Sequence, residues 1–269
     1  MEERKIERWH VPLYLLAILF FHISCFLNAE EEQMRELPQY NCIRIDGEIT
    51  IDGALTDAAW ATAPVVELLR TDTGEKPKQP TAVRLLWNEQ YLYVGFLCHD
   101  RDVWGTIREH DGPLYNEEVV EVFIDADADL RTYVELEVNP LNALFDAFVL
   151  NGRDRGQGIR VLRDWDSSEM QHAVSIDGKV KLDPPSTRDE AANVPDRSWS
   201  CEIAIPFKDL LTAPNIPPKA GDVWRINLYR IDRGKTKEVD EYSAWSPTWK
   251  IDYHRPQYFG FLRFVEHTN

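Results

Sequence analysis

Basic residues are in short supply: 30 Lys and Arg face 46 Asp and Glu in 269 residues, for a net charge of −16. An acidic surface repels the nucleic-acid backbone and anionic lipid headgroups, so neither is an expected partner. Strongly anionic polysaccharides are disfavoured as well unless metal ions bridge them. Cysteine is sparse, with four residues, and no Cys-x-x-Cys spacing offers a metal site. His99, His110, His172 and His254 are scattered without the spacing of a metal-binding helix. No stretch has the apolar period of a long amphipathic helix, and there is neither an internal repeat nor a low-complexity block. Hydrophobic residues nevertheless make up 43% of the chain, enough for a sizeable core, which excludes disorder as the default.

Residues 1–29 have the form of a secretory signal peptide. Arg4, Lys5 and Arg8 form a basic start, Val11 to Phe21 an apolar run, and Ala29 precedes Glu30 as the cleavage end. Glu2, Glu3 and Glu7 cancel those bases, so the exported part keeps the whole acidic surplus. Cys25 leaves with the signal, and His22 sits where a lipoprotein signal wants an aliphatic residue. The expected location is secreted or periplasmic. The alternative is membrane anchoring by an uncleaved segment 11–29, slightly short for a span. Residues 30–40 read as a polar linker and 41–269 as one domain. Cys42, Cys98 and Cys201 remain; one disulfide can form among them, with the pair left open. Cys98 and Cys201 lie in apolar strand-like runs and read as small buried hydrophobes.

Short strands fill the domain. TAVRLLW and YLYVGFLCHD flank Asn88-Glu89-Gln90 as a hairpin, the second arm apolar enough to be buried on both faces. MQHAVSI and KVKL flank Asp177-Gly178, a two-residue hairpin signal. ALFDAFVL, SWSCEIAI, DVWRINLYRID and YFGFLRFV supply further strands. Helix is confined to stubs, such as TDAAWATAP with Thr56 as its cap and Trp60 packed on the sheet. The expected fold is all-β, an antiparallel β-sandwich of jelly-roll or immunoglobulin-like type with stub helices.

The chain is organised around Tyr115 to Asn139, two strands joined by an acidic loop. Val120, Val122 and Ile124 alternate with Glu121, Phe123 and Asp125; Val134, Leu136 and Val138 alternate with Glu135, Glu137 and Asn139. A period of two puts Glu121, Glu137 and Asn139 on one face, with Tyr115 at its rim. Acceptors and an amide beside an aromatic ring suit a neutral mono- or oligosaccharide, whose hydroxyls take hydrogen bonds and whose C–H face packs on the ring. The bland alternative is the solvated face of an antiparallel sheet. Asp125, Asp127 and Asp129 in the joining loop can gather oxygens for a structural Ca²⁺, although Leu130 and Leu136 depart from an EF-hand loop. Glu117, Glu118 and Glu121 do not place an acid and a nucleophile on opposite walls, so catalysis is not expected. Met170 and His172, two residues apart on one strand, are poorly set for opposite axial ligands of a haem.

IDGALTDAAW at Ile51–Trp60, RLLWNEQYLYVGF at Arg84–Phe96, NEEVVEVFID at Asn116–Asp125 and WSPTWKIDYHRPQYFGFLRF at Trp245–Phe264 together resemble the family 9 carbohydrate-binding modules, β-sandwich units often appended to xylanases. The resemblance runs in order through nearly the whole predicted domain. It implies a clamp in which two aromatic rings sandwich a sugar above a polar floor. The rings fall on Tyr115 and Tyr253, with Trp249 as a neighbour able to substitute; the floor falls on Glu121 and Asn139. Where the best-known members carry an arginine, this chain has Glu137, an acceptor in place of a donor fork. The resemblance implies a non-catalytic module assisting polysaccharide breakdown by partner glycoside hydrolases, any glycosyl-hydrolase label being one of association. The rival expectation is a structural or interaction sandwich of the cell envelope that binds no sugar.

Overall fold

Alternating apolar and polar residues form strands almost everywhere that alternation occurs. The computed structural model describes residues 36–187 and 195–266. The expected signal peptide and most of the linker lie outside these residues. The strands are β1 Gln39–Arg44, β2 Val66–Glu67, β3 Leu69–Arg70, β4 Thr81–Trp87, β5 Tyr91–His99, β6 Val119–Asp125, β7 Thr132–Val138, β8 Leu144–Asn151, β9 Ile159–Leu162, β10 Gln171–Asp177, β11 Ser198–Pro206, β12 Val223–Asp232, β13 Glu241–Ala244 and β14 Gly260–Val265. Helix among the described residues is limited to short 3₁₀ segments, and no described helix is long and apolar enough to cross a membrane. Leu37–Asn269 cluster as one unit.

The strands join edge to edge in the order β10-β11-β5-β4-β1-β14-β12-β6-β7-β8-β9, with β13 on β12, β2 on β4 and β3 on β13. The chain is thus nearly all-β, but the sheet is mixed. β1 runs parallel to both β14 and β4, which corrects the expectation of a purely antiparallel fold. Its neighbours come from a distant hairpin and from the far end of the chain, so no tight turn dictates its direction.

The β4–β5 hairpin forms with the expected arms. Asn88 closes its turn, its Oδ1 accepting the N–H groups of Gln90 and Tyr91 at 2.8 Å each. β5 lies between β4 and β11. The Asp177-Gly178 hairpin does not form, because β10 pairs with β11 instead. After Gly178 the chain leaves the sheet: the Lys179 N–H goes to Asp196 Oδ1 and Lys181 bridges to Trp104. Thr56 is not the cap of its helical turn; Asp57 precedes Ala58–Thr62 without a side-chain capping bond. Buried Glu202 does the anchoring there, accepting from Asp52, Gly53, Leu55 and the Trp60 indole. Gly95 admits this layer, since a Cβ would stand 2.4 Å from Leu55 Cδ2. Cys42, Cys98 and Cys201 are all buried free thiols, so none of the disulfides left open by the sequence is present.

Val120, Val122 and Ile124 of β6 and Leu136 of β7 share one buried cluster with Val94 and Phe96 of β5 and Cys201 and Ile203 of β11. The curl of the sheet therefore folds its two halves over a common apolar layer. The opposite face of β6–β8 and β12 carries a second cluster, with Phe123, Tyr133, Phe145, Tyr229 and Phe259. That face holds the site.

Candidate functional site

Period-two alternation brings three glutamates together. Glu121 on β6 pairs in register with Glu137 on β7, and Phe123 with Glu135. Their odd-numbered side chains share the face turned away from the large apolar layer. They line an open pocket of about 410 Å³, flanked by Phe123, Phe145, Val161 and Ile231. Tyr115, on the 3₁₀ turn Leu114–Asn116, stands at the edge and is 39% exposed. Tyr242 of β13 and the 251–254 segment complete the wall.

Burial governs the floor's electrostatics. One oxygen of each of the three carboxylates can lie within 4.8 Å of the others. Each glutamate also has a buried oxygen without a hydrogen-bond partner: Oε1 of Glu121 and Oε2 of Glu135 and of Glu137. Two like charges about 4 Å apart repel by about 4 kcal/mol at an effective dielectric of 20, so full ionisation is costly. Desolvation pushes Glu135 up to about 7. It holds Glu121 and Glu137 well above the usual carboxylate range, with neighbouring glutamates adding to it. The floor therefore retains protons near neutrality, and a protonated carboxyl can donate as well as accept.

Two arginines line the same pocket. The Arg163 guanidinium lies 5.2 Å from the Phe145 ring centroid. Arg233 lies over Tyr242, pairs with Asp240 at 2.7 Å and donates to the Tyr115 carbonyl, which ties the Tyr115 turn to the end of β12. Sequence reasoning singled out neither. The signal for Arg233 was its place two residues beyond Ile231 on a clean alternation; Arg163 follows β9, whose four residues are too short to stand out. Arg225 and Arg230 of β12 serve elsewhere. Arg225 donates to the carbonyls of Gln257 and Phe259, and Arg230 is buried against Asp100 at 2.6 Å.

The other expected site residues divide. Tyr253 lines the pocket but is only 9% exposed. It stacks on Tyr229 with centroids 4.0 Å apart and planes 11° apart, and its hydroxyl donates to the Arg230 carbonyl. One of its faces is thus taken, leaving the other for the pocket. His254 beside it is kept neutral by burial, down to about 4. Asn139 does not line the pocket. It is fully buried, donating to the Ile107 carbonyl and accepting from Leu141 and Ala143, so the amide shapes the β7–β8 turn. Trp249 is also outside the lining, its ring lying against Gly74. Asp125, Asp127 and Asp129 do gather, with oxygens within 4.8 Å of one another. Buried Asp125 is pushed up to about 7 and accepts from Leu130 and Asp129.

Residues 51–147 match the model of the family described as carbohydrate family 9 binding domain-like. Over this stretch the chain is similar to that family. The match takes in the Glu202-anchored layer, the β4–β5 hairpin and the strands carrying Glu121, Glu135 and Glu137. The chain is 27% identical over 206 residues to an extracellular protein of Arthroderma benhamiae, covering 75% of this chain and 86% of that protein. It is 24% identical over 229 residues to endo-1,4-beta-xylanase A of Thermotoga maritima, covering 85% of this chain but 17% of the enzyme. Its fold resembles a Bacteroides uniformis structure described as a candidate carbohydrate-binding protein, at TM-score 0.64 and 14% identity, covering 85% of this chain and all of that one (100%). It also resembles a family 9 module of Caldicellulosiruptor kristjanssonii solved with cellotriose, at TM-score 0.55 and 14% identity over 86% of this chain and 96% of that one. The same module with glucose gives TM-score 0.53 at 14% identity over 87% and 98%.

Proposed function

We propose that the pocket over β6 and β7 binds carbohydrate without transforming it. The observation that carries this is the pairing of a buried, proton-retaining polar floor of Glu121, Glu135 and Glu137 with an exposed aromatic edge at Tyr115, in a family-9-like chain. The Tyr115 ring stacks on the C–H face of the sugar, with Tyr242 as a second wall and Tyr253 as its packed backing. The carboxyls exchange hydrogen bonds with the hydroxyls. All three rise from one floor and adjacent strands rather than from facing walls, which favours binding over hydrolysis. The curled sheet, with both halves over one apolar layer, supports a sandwich architecture.

Export by residues 1–29 and action beside glycoside hydrolases fit this reading, the second by way of the xylanase relative. Calcium at Asp125, Asp127 and Asp129 belongs to the same proposal. Hard carboxylate oxygens within reach of one cation suit it, and its part would be to hold the β6–β7 loop. Isothermal titration with a panel of neutral mono- and oligosaccharides, on the wild type and Tyr115→Ala, tests the reading. Saturable binding weakened by the substitution supports it; no heat with any sugar leaves the rival envelope-interaction module, which the Asn139 turn and the Tyr253–Tyr229 stack favour.

A further inference from the structure

Under one open pocket Glu121, Glu135 and Glu137 each keep one buried oxygen without a hydrogen-bond partner, and one oxygen of each carboxyl lies within 4.8 Å of the others. A buried polar atom left unpaired costs roughly 1–3 kcal/mol, more where charge is involved, and here three neighbouring side chains each carry one. A neutral hydroxyl brings one donor to such a floor. A primary ammonium brings three, one for each oxygen, together with the charge that three acids lack.

We propose that the pocket selects sugars bearing a free, protonated primary amine, seated on the oxygens of Glu121, Glu135 and Glu137. The inference rests on the carbohydrate reading and names its substrate class. The rest of the wall agrees with it. Tyr115 lines the same pocket, and aromatic faces attract cations. Of the other charged groups, Arg233 is engaged by Asp240 and the Tyr115 carbonyl, Arg163 lies on Phe145, Asp252 pairs with Arg153 at 2.7 Å and His254 is uncharged near neutrality. The floor acids form no close ion pair among the described residues, Arg233 and Arg163 acting on Glu121 and Glu135 only from a distance. A calcium ion fits less well, because it asks for six to eight oxygens, and the flanking Phe123, Phe145 and Ile231 supply none. Rotation about the last torsion of a glutamate is soft, so either oxygen of each carboxyl can turn toward the ligand. Seating an ammonium ionises the floor, so protons leave as it binds.

The test is calorimetric titration of the full chain at neutral pH with glucosamine, glucose, N-acetylglucosamine and calcium chloride, in two buffers of different ionisation enthalpy. The expected result is glucosamine binding at least tenfold tighter than glucose and N-acetylglucosamine, with proton release for glucosamine alone. Glu137→Gln should cut the glucosamine-to-glucose affinity ratio several-fold. Glucose or N-acetylglucosamine binding as tightly as glucosamine overturns the amine inference and leaves the carbohydrate reading standing. Binding of no saccharide removes both. Calcium binding that displaces glucosamine also overturns it, in favour of a metal floor. If Glu137→Gln does not fold, Glu135→Gln takes its place, and the wild-type ratio decides by itself.

Discussion

Glu121 and Glu137 are direct cross-strand partners, buried side by side at 2% and 1% exposure. Like charges in that position destabilise a sheet, and Glu135 one step along β7 adds a third. The arrangement is tolerable while protons stay on the floor or while a ligand supplies donors. The consequences can be measured.

Stability should fall with rising pH. Glu135 moves from an ordinary 4.5 to about 7 on folding, so the folded chain binds its proton more tightly than the unfolded one. The resulting stabilisation is complete below the unfolded value and is lost as pH climbs through the folded one. Glu121 and Glu137 shift the same way and extend the fall upward. Glu135 alone accounts for on the order of 3 kcal/mol between about pH 5 and about pH 8. Thermal melts across that range should decline, and Glu135→Gln should flatten the slope; a melting point that rises with pH would contradict this.

Tyr115 and Tyr253 should separate binding from folding. Tyr115→Ala removes a ring that is 39% exposed, so the melt should hardly move while sugar affinity drops roughly three- to tenfold. Tyr253→Ala empties a stacked core position and should cost about 3–5 kcal/mol in a denaturant titration. Equal destabilisation by the two would show that Tyr115 is a packing residue.

Arg230 should be intolerant of truncation. It is 1% exposed and pairs with Asp100 at 2.6 Å, while also donating to the His99 carbonyl. Arg230→Ala leaves Asp100 buried without its countercharge and should destabilise by about 3–5 kcal/mol. A urea midpoint shifted by much less would mean that water replaces the guanidinium there.

Calcium removal should lower the melt if the β6–β7 loop holds the ion. Adding EDTA and then restoring calcium should move the melting temperature down and back in the wild type, and Asp127→Asn should lessen the response. An indifferent wild-type melt dismisses the loop as a calcium site.

Local pattern made much of this legible. The period of two in β6 and β7 put Glu121 and Glu137 on one face, and the short turn at Asn88 paired β4 with β5, because both depend on neighbours in sequence. Asp177-Gly178 misled for the opposite reason: its turn chemistry is local, but Asp196 and Trp104 draw the following segment away. Asn139 follows the right alternation yet spends its amide on the turn beside it, which spacing does not reveal.

By itself the sequence determined the strand-rich character, the acidic surplus and the face that Glu121, Glu135 and Glu137 share, since side-chain alternation is a property of each extended segment. Only the tertiary structure decided that β1 runs parallel between β14 and β4, that Tyr253 lies flat on Tyr229, and that Arg163 and Arg233 reach the pocket. Those are contacts between residues far apart in the chain. They are chosen by which surfaces the folded sheet brings together, and no local pattern encodes that choice.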